Sequence, residues 1–360
     1  MSARPLEMGS RRRGALAQDG GMPWTVTPID ALDPAQHELF QQWVEVSERS
    51  SRALWGEEHT AFSADELRGR RRGATHRYVD VAVVDAGRVV GMASLALPAL
   101  DNPHFAMLML HVDPGHRRRG IGTALLDHLL EVARADGRVV VEADTEWVEG
   151  REDESGLGFP APRGFAPSQT LIRSAMHLPA NPTVLQRYAV GAGVEDAAAF
   201  RIERAVGMPP DAWLAGLAHL EQRMSTDAPQ GEREVAEEAW TPERMAENLQ
   251  WALDAGRSIV LAAAFEGEAM VGFSKVEVPA QTPSLAYQGD TIVLAEARGH
   301  RLGIRLKSAV ALELMATFPQ VTRVRTWNAD DNRHMLAVNR ELGYRTEGAL
   351  RAWQRTLATG

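Results

Sequence analysis

The stretch Leu110-His111-Val112-Asp113-Pro114-Gly115-His116-Arg117-Arg118-Arg119-Gly120-Ile121-Gly122-Thr123 reads as a β-strand that turns sharply into an α-helix. The helix it opens carries Ile121, Ala124, Leu125, Leu129 and Val132 at helical spacing, which predicts an amphipathic helix from about Gly120 to Ala135. At a helix N-terminus several backbone N–H groups lack intrahelical partners, and the helix dipole adds partial positive charge, so a pyrophosphate fits there. Gly120 and Gly122 let that backbone approach a ligand with no Cβ in the way. A glycine-bearing turn that merely starts a helix is the plainer alternative for a lone G-x-G.

Working outward, the same pattern occurs twice. Val83–Gly91 reads strand, tight turn, strand, and so does Ala264–Gly272. Gly91 and Gly272, Val112 and Val293, and Arg117 and Arg298 all share one offset, so two tandem copies of one unit are expected. In the first copy we expect helices at Pro34–Ser51 and Ala64–Arg71, strands at Tyr78–Val84, Val89–Leu97, Ala106–Val112 and Val139–Ala143, and a closing strand at Thr170–Leu178. In the second, helices are expected at Glu195–Ala205, Asp211–Met224, Pro242–Asp254, Leu302–Thr317 and Asn332–Glu341. Its strands are expected at Ser258–Phe265, Met270–Val278, Asp290–Leu294, Val321–Trp327 and Tyr344–Leu357. Pro179-Ala180-Asn181-Pro182 denies both helix and central strand and marks a linker over 179–183, between domains at 23–178 and 184–360. The fold class is α+β, each copy a mixed, mostly antiparallel sheet flanked by helices.

The opening stretch resembles the R/Q-x-x-G-x-G/A signature of the GNAT superfamily of N-acetyltransferases, with Arg117, Gly120 and Gly122 at its fixed positions and Val112 and Pro114 before it. The resemblance extends over the chain from about Trp24 and implies a tandem-domain member that uses acetyl-coenzyme A as cosubstrate. It implies that amides from Arg118 through Arg119, Gly120, Ile121 and Gly122 to Thr123 hold the pyrophosphate. It also implies that Leu110, His111 and Val112 pair by backbone with the pantetheine arm in a gap between splayed strands. In the second copy Ile292 and Val293 precede Arg298-Gly299-His300-Arg301-Leu302-Gly303-Ile304, where Arg301 replaces the first signature glycine. Because the contacts are backbone N–H groups, a right-handed helical residue at 301 presents one equally well.

Asn328 to Tyr344 resembles the family's N-x-x-A/M…L-G-F/Y segment, in which asparagine meets pantetheine and a tyrosine five residues before the final aromatic protonates the leaving thiolate. Here Asn328 and Asn332 are the asparagines, equally readable as a turn residue and a helix cap. Asn339 stands at the tyrosine position and is no proton donor of matched pKa, which leaves Tyr344 or solvent. In the first copy Glu152–Pro162 carries prolines and glycines where a helix belongs, so a short irregular turn is expected. The acceptor ammonium must lose a proton before attack. Asp290 and Glu277 are the candidates in the second copy, and Glu142, Asp144 and His111 in the first.

Composition bounds the rest. The chain has 360 residues, 44% hydrophobic and 24% charged, and its apolar runs, such as Val81–Val84 and Ile259–Ala264, fall far short of the ~18 residues of a membrane span. A net charge of −9 argues against a general nucleic-acid binder, and Arg11-Arg12-Arg13 in the expected disordered tail 1–22 reads as a solvated charge run with no secretory apolar run after it. With no cysteine there is neither disulfide nor cysteine nucleophile. No metal-ligand spacing stands out, and no metal is expected. The expectation is a cytoplasmic enzyme, monomer or homodimer, with no membrane or nucleic-acid partner. It moves acetyl from acetyl-coenzyme A to a primary amine of a small molecule by direct attack, the second copy being the catalytic one. A non-catalytic acyl-coenzyme A sensor is the alternative.

Overall fold

The computed structural model describes residues 24–152, 156–227, 231–233 and 236–357. The expected tail 1–22 lies outside these residues. The first half runs β1 (Val26–Ile29), α1 (His37–Trp55), α2 (Ala64–Arg72), the hairpin β2 (His76–Asp85) and β3 (Arg88–Pro98), β4 (Phe105–Val112), α3 (Ile121–Ala135), β5 (Val140–Val148) and β6 (Ala166–His177). The second runs α4 (Pro182–Ala189), β7 (Phe200–Val206), α5 (Asp211–Asp227), α6 (Pro242–Asp254), the hairpin β8 (Arg257–Glu266) and β9 (Ala269–Pro279), β10 (Leu285–Val293), α7 (Leu302–Thr317), β11 (Arg323–Ala329), α8 (Arg333–Glu341) and β12 (Arg345–Thr356).

Local chemistry sets the ends of these elements. α2 starts in a capping box, with the Ser63 side chain accepting from the Glu66 amide and Glu66 accepting from the Ser63 amide. Thr241 caps α6 ahead of Pro242 at the first helical position. The expected Glu195–Ala205 helix is instead a 3-10 turn, Ala197–Ala199, followed by β7, which pairs antiparallel with β8. Phe200 is buried and Arg201 exposed, and the open edge of β8 supplies the ladder partners that a helix would forgo. β1 does the same on β2, a strand that the sequence pattern alone did not reveal. The linker also differs from expectation. Pro182 opens α4 at the first helical position under an Asn181 cap, where a missing N–H costs nothing. In the first half the segment before β6 ends in the 3-10 turn Ala161–Arg163, as irregular as its prolines imply.

Among the described residues the twelve strands form one sheet, in the order β1-β2-β3-β4-β5-β12-β6-β11-β10-β9-β8-β7. The two halves exchange their last strands. β12 of the second half lies between β5 and β6, and β6 of the first lies between β12 and β11, with all three of these pairings antiparallel. The two parallel pairings are β4 with β5 and β10 with β11, one at the same place in each half. On one face, α3 packs Ile121, Leu125 and Leu129 on Val81, Val83 and Leu95. α7 packs Leu302, Leu306 and Val310 on Val260, Ala262 and Val271 of the same face. On the other, α1 and α2 cover the first half through Phe40, Trp43 and Leu67, and α5 and α6 cover the second through Trp213, Leu217 and Leu249.

The repeat anchor Gly91/Gly272 has a packing origin. A Cβ at Gly91 would stand 2.5 Å from Cγ2 of Ile121, and one at Gly272 would stand 2.8 Å from the Ile292 carbonyl oxygen. Both glycines let the hairpin lie tightly under the element that opens the next helix.

Candidate functional site: two splayed-strand clefts with helix N-termini

Strands β4 and β5 stay paired over Phe105–Leu108 and then part. Strands β10 and β11 pair over Leu285–Tyr287 and then part. Beyond those points Leu110, His111 and Val112, and likewise Ile292 and Val293, keep ladder partners on β3 or β9 and have none on the opposite side. The register of β10 on β9 shifts between Gln288 and Thr291, at Gly289 and Asp290. Each gap therefore exposes a row of backbone N–H and C=O groups able to receive an extended chain.

Each gap leads to a helix N-terminus. Gly120 caps α3 and Arg301 caps α7, neither with a side-chain cap hydrogen bond. The first helical bonds run from the Ala124 amide to the Gly120 carbonyl and from the Arg305 amide to the Arg301 carbonyl. Ile121, Gly122 and Thr123, and correspondingly Leu302, Gly303 and Ile304, thus present amides with no helical acceptor. The signature arginines tie these loops down: Arg117 Nε donates to the Val112 carbonyl at 3.3 Å, and Arg298 Nε to the Val293 carbonyl at 3.2 Å. The expected right-handed conformation at Arg301 is not what the chain adopts. Arg301 has φ 55°, beside Gly299 at φ 93°, whereas the first half has Arg118 at φ 63° and Gly120 at φ 86°. The same two places are left-handed in both halves, with glycine and arginine interchanged.

The two loops differ in what stands over them. In the first, the Trp24 indole donates to the Arg119 carbonyl at 2.7 Å, Arg163 Nη2 donates to Thr123 Oγ1 at 2.8 Å, and a Cβ at Gly122 would meet the Phe159 ring at 3.3 Å. Arg119 itself donates from Nη2 to the Gly115 carbonyl. In the second, Cβ atoms at Gly299 and Gly303 would meet nothing within 4 Å. The His300 ring lies 4.8 Å from that of Phe200, and Arg301 pairs with Glu341 and lies over the Tyr188 ring.

On the α5 side of the second cleft sits a charged cluster that the sequence only partly revealed. Asp290 and Glu277 are both in it, but Glu277 is held by Lys275 and by Arg257, at 3.3 and 2.8 Å, and those cations keep its pKa low against its burial. The group that binds protons in the neutral range is Glu221 of α5. Burial, then the negative charge of Asp290, push it up to about 8. Lys275 is pushed the other way from burial by Glu277, Glu221 and Asp290, and stays charged. Glu221 follows Leu220 and stands four positions after Leu217, both buried, so an acid bordering an apolar helical stripe was the signal in the sequence.

Across the cleft is a buried polar chain. Lys307 of α7, 3% exposed, donates from Nζ to Asn339 Oδ1 at 2.7 Å, and Asn339 Nδ2 donates to Asn328 Oδ1 at 2.6 Å. Among the described residues Lys307 has no carboxylate partner, and burial lowers its pKa to about 7. Asn332 uses its side-chain oxygen to cap α8 through the Met335 amide. Tyr344 is buried in the core under Lys307, its phenol pushed up by desolvation.

In the first cleft His111 is driven down to about 4 by burial and Arg117, with Ser50 Oγ 3.2 Å from its Nδ1. Glu142 is held by Nε and Nη2 of Arg233, at 2.8 and 2.7 Å. Asp144 is raised to about 7 by burial and by Glu142. Among the described residues no His, Cys, Asp and Glu group is arranged to hold a metal ion, and no helix is long and apolar enough to cross a membrane.

Comparison with known proteins agrees with this geometry. The model of the acetyltransferase (GNAT) family matches residues 38–146. Mycothiol acetyltransferase of Kocuria rhizophila is 30% identical over 158 residues, 44% of this chain and 48% of that protein. That of Sanguibacter keddieii is 33% identical over 221 residues, 58% of this chain and 61% of that protein. The chain thus matches less than two thirds of the length of these relatives. Among solved structures, a tandem GNAT protein from the clavulanic acid biosynthesis pathway superposes with a TM-score of 0.73 at 26% identity, covering 92% of this chain and 98% of its own. A GCN5-related N-acetyltransferase from Sphaerobacter thermophilus shares the fold, with a TM-score of 0.63 at 16% identity, covering 92% and 95%.

Proposed function

From the premise that this chain carries a GNAT acetyltransferase domain in a tandem GNAT fold, we propose that it moves acetyl from acetyl-coenzyme A to a primary amine of a small molecule, and that its second half turns over. The division into halves at 23–178 and 184–360 belongs to the same reading, as does a cytoplasmic location. The observation that carries the second half is the space beside its helix N-terminus, where a Cβ at Gly299 or Gly303 would meet nothing within 4 Å, in the half that also holds the Glu221 and Asp290 carboxyl pair.

In this reading the amides of Leu302, Gly303 and Ile304 receive the pyrophosphate, and the open edge of Ile292 and Val293 receives the pantetheine arm. Asn328, fixed by Asn339 and Lys307, orients that arm. Lys275 stays cationic and holds Glu277, so Glu277 positions rather than accepts protons. Ionised Glu221, backed by Asp290, takes a proton from the acceptor ammonium directly or through water. The freed amine attacks the thioester carbonyl, the new N–C bond forms as C–S breaks, and the thiolate takes a proton from solvent, since Asn339 is an amide and Tyr344 is buried in the core.

The test is release of free thiol from acetyl-coenzyme A across a panel of primary amines. The sensor reading is favoured by one observation, the amide at position 339. It predicts that acetyl-coenzyme A raises the melting temperature while no amine in the panel releases thiol.

A further inference from the structure

The strand exchange brings two arginines together in the middle of the sheet, on the face covered by α1, α2, α5 and α6. Arg173 of β6 and Arg325 of β11 are 0% and 1% exposed. Both donate from Nε to the same carboxylate oxygen, Glu347 Oε2, at 3.0 and 2.9 Å. Each also keeps a buried Nη1 with no acceptor among the described residues, and so does the indole Nε1 of Trp327, directly opposite Arg173 in the ladder. Buried guanidinium and indole donors without acceptors are costly, and three on one patch suit an oxygen-bearing ligand.

The patch is covered by the end of α1 and the 3-10 turn that follows it. Glu58, in a 3-10 turn directly after α1, reaches Arg325 Nη2 at 3.1 Å and also pairs with Arg323, though its side chain is 42% exposed. Trp55 of the same segment lies 3.4 Å over the Arg173 guanidinium and has its own indole engaged by Glu146. A planar fork of guanidinium donors matches a carboxylate in geometry and charge.

The patch adjoins the second cleft. Glu277, Tyr287 and Arg325 stand side by side on β9, β10 and β11, and Tyr287 stacks on Trp327. Two strand spacings, ~10 Å, therefore separate the backbone of Glu277 from that of Arg325. We propose that Arg173 and Arg325 bind a carboxylate on the amine acceptor, and that the Glu58 side chain occupies this position until the ligand displaces it. This rests on the proposed function only in calling the ligand an acceptor. It makes the acceptor amino-acid-like or peptide-like, with its amine toward the Glu221 and Asp290 pair and its carboxylate on the arginines, a span that a short extended peptide can bridge.

The experiment titrates the full chain, without coenzyme A, with triglycine, triglycine amide and N-acetyltriglycine, and follows binding by calorimetry. Triglycine is expected to saturate, with the amide and the acetylated peptide each weaker by about 10-fold or more. Glu58→Gln, which removes the resident carboxylate at an exposed position, is expected to tighten triglycine by about fivefold or more. Arg325→Met, checked by circular dichroism, is expected to abolish binding. Equal binding of triglycine and its amide, or unchanged affinity in Glu58→Gln, would overturn the carboxylate site. Equal binding of N-acetyltriglycine would overturn the acceptor assignment. Failure of the acetyltransferase reading would look different: no thiol release, with these titrations still saturating.

Discussion

Gly120 and Arg301 cap equivalent helices in the same left-handed backbone conformation, φ 86° and 55°, although only one of them is the residue type suited to it. An L side chain there costs about 1 kcal/mol or more, which glycine avoids. The exposed Arg301–Glu341 pair offsets little of that. Arg301→Gly is therefore expected to raise stability by about 0.5–1 kcal/mol, and Gly299→Ala, at φ 93°, to lower it by ~1 kcal/mol or more. Denaturant midpoints of the two variants check both signs.

Glu221 sets the pH response of the proposed chemistry. The base must be ionised, so kcat/KM is expected to fall as pH drops below about 8. Glu221→Gln should abolish that limb and lower kcat by about 10²–10⁴-fold. Its pKa is raised in the folded chain, so its stabilising contribution is full below the ordinary carboxylate range and is lost as pH rises through about 8. The variant should accordingly gain stability over wild type on going from pH 5 to pH 9, as read from thermal midpoints.

Lys307 runs the other way. Its folded pKa is lowered from 10.5 to about 7, so the unfolded chain binds the extra proton between those values and stability rises with pH across that window. Lys307→Met is expected to flatten this rise. It also removes the donor that holds Asn339 and, through it, Asn328, so KM for acetyl-coenzyme A should increase more than kcat falls. An unchanged pH slope of stability in the variant would contradict the assignment of that proton.

The exchanged strands make the halves interdependent. Both neighbours of β6, β12 and β11, come from residues beyond 178. Residues 1–178 expressed alone are expected to lack cooperative unfolding, and co-expression with 179–360 should restore a soluble complex. A cooperative transition in the isolated first half would contradict the topology.

Much of this was legible in the sequence because periodic patterns carried it: α7 occurs at Leu302–Thr317 and α6 at Pro242–Asp254 as read. The edge strands β1 and β7 escaped because their pairing partners, β2 and β8, lie far along the chain and outweigh local preference. The strand exchange escaped for the same reason. A repeat offset says that two copies exist, and nothing in it says whose last strand completes which half. At the site, glycines and signature arginines marked the loops, but Glu221, Lys307 and the arginine pair owe their chemistry to burial and neighbours. In the sequence they appear only as charged residues in or beside apolar runs.

The most direct test of turnover in the second half compares amine-dependent thiol release in Gly303→Glu and Gly122→Glu at saturating acceptor, with folding checked by circular dichroism. A Cβ at 303 meets nothing within 4 Å, and the carboxylate it carries lies where the pyrophosphate is expected, whereas a Cβ at 122 meets the Phe159 ring at 3.3 Å. The account predicts turnover lost in Gly303→Glu and largely kept in Gly122→Glu. Loss in the Gly122 variant alone would contradict it and place the chemistry in the first half.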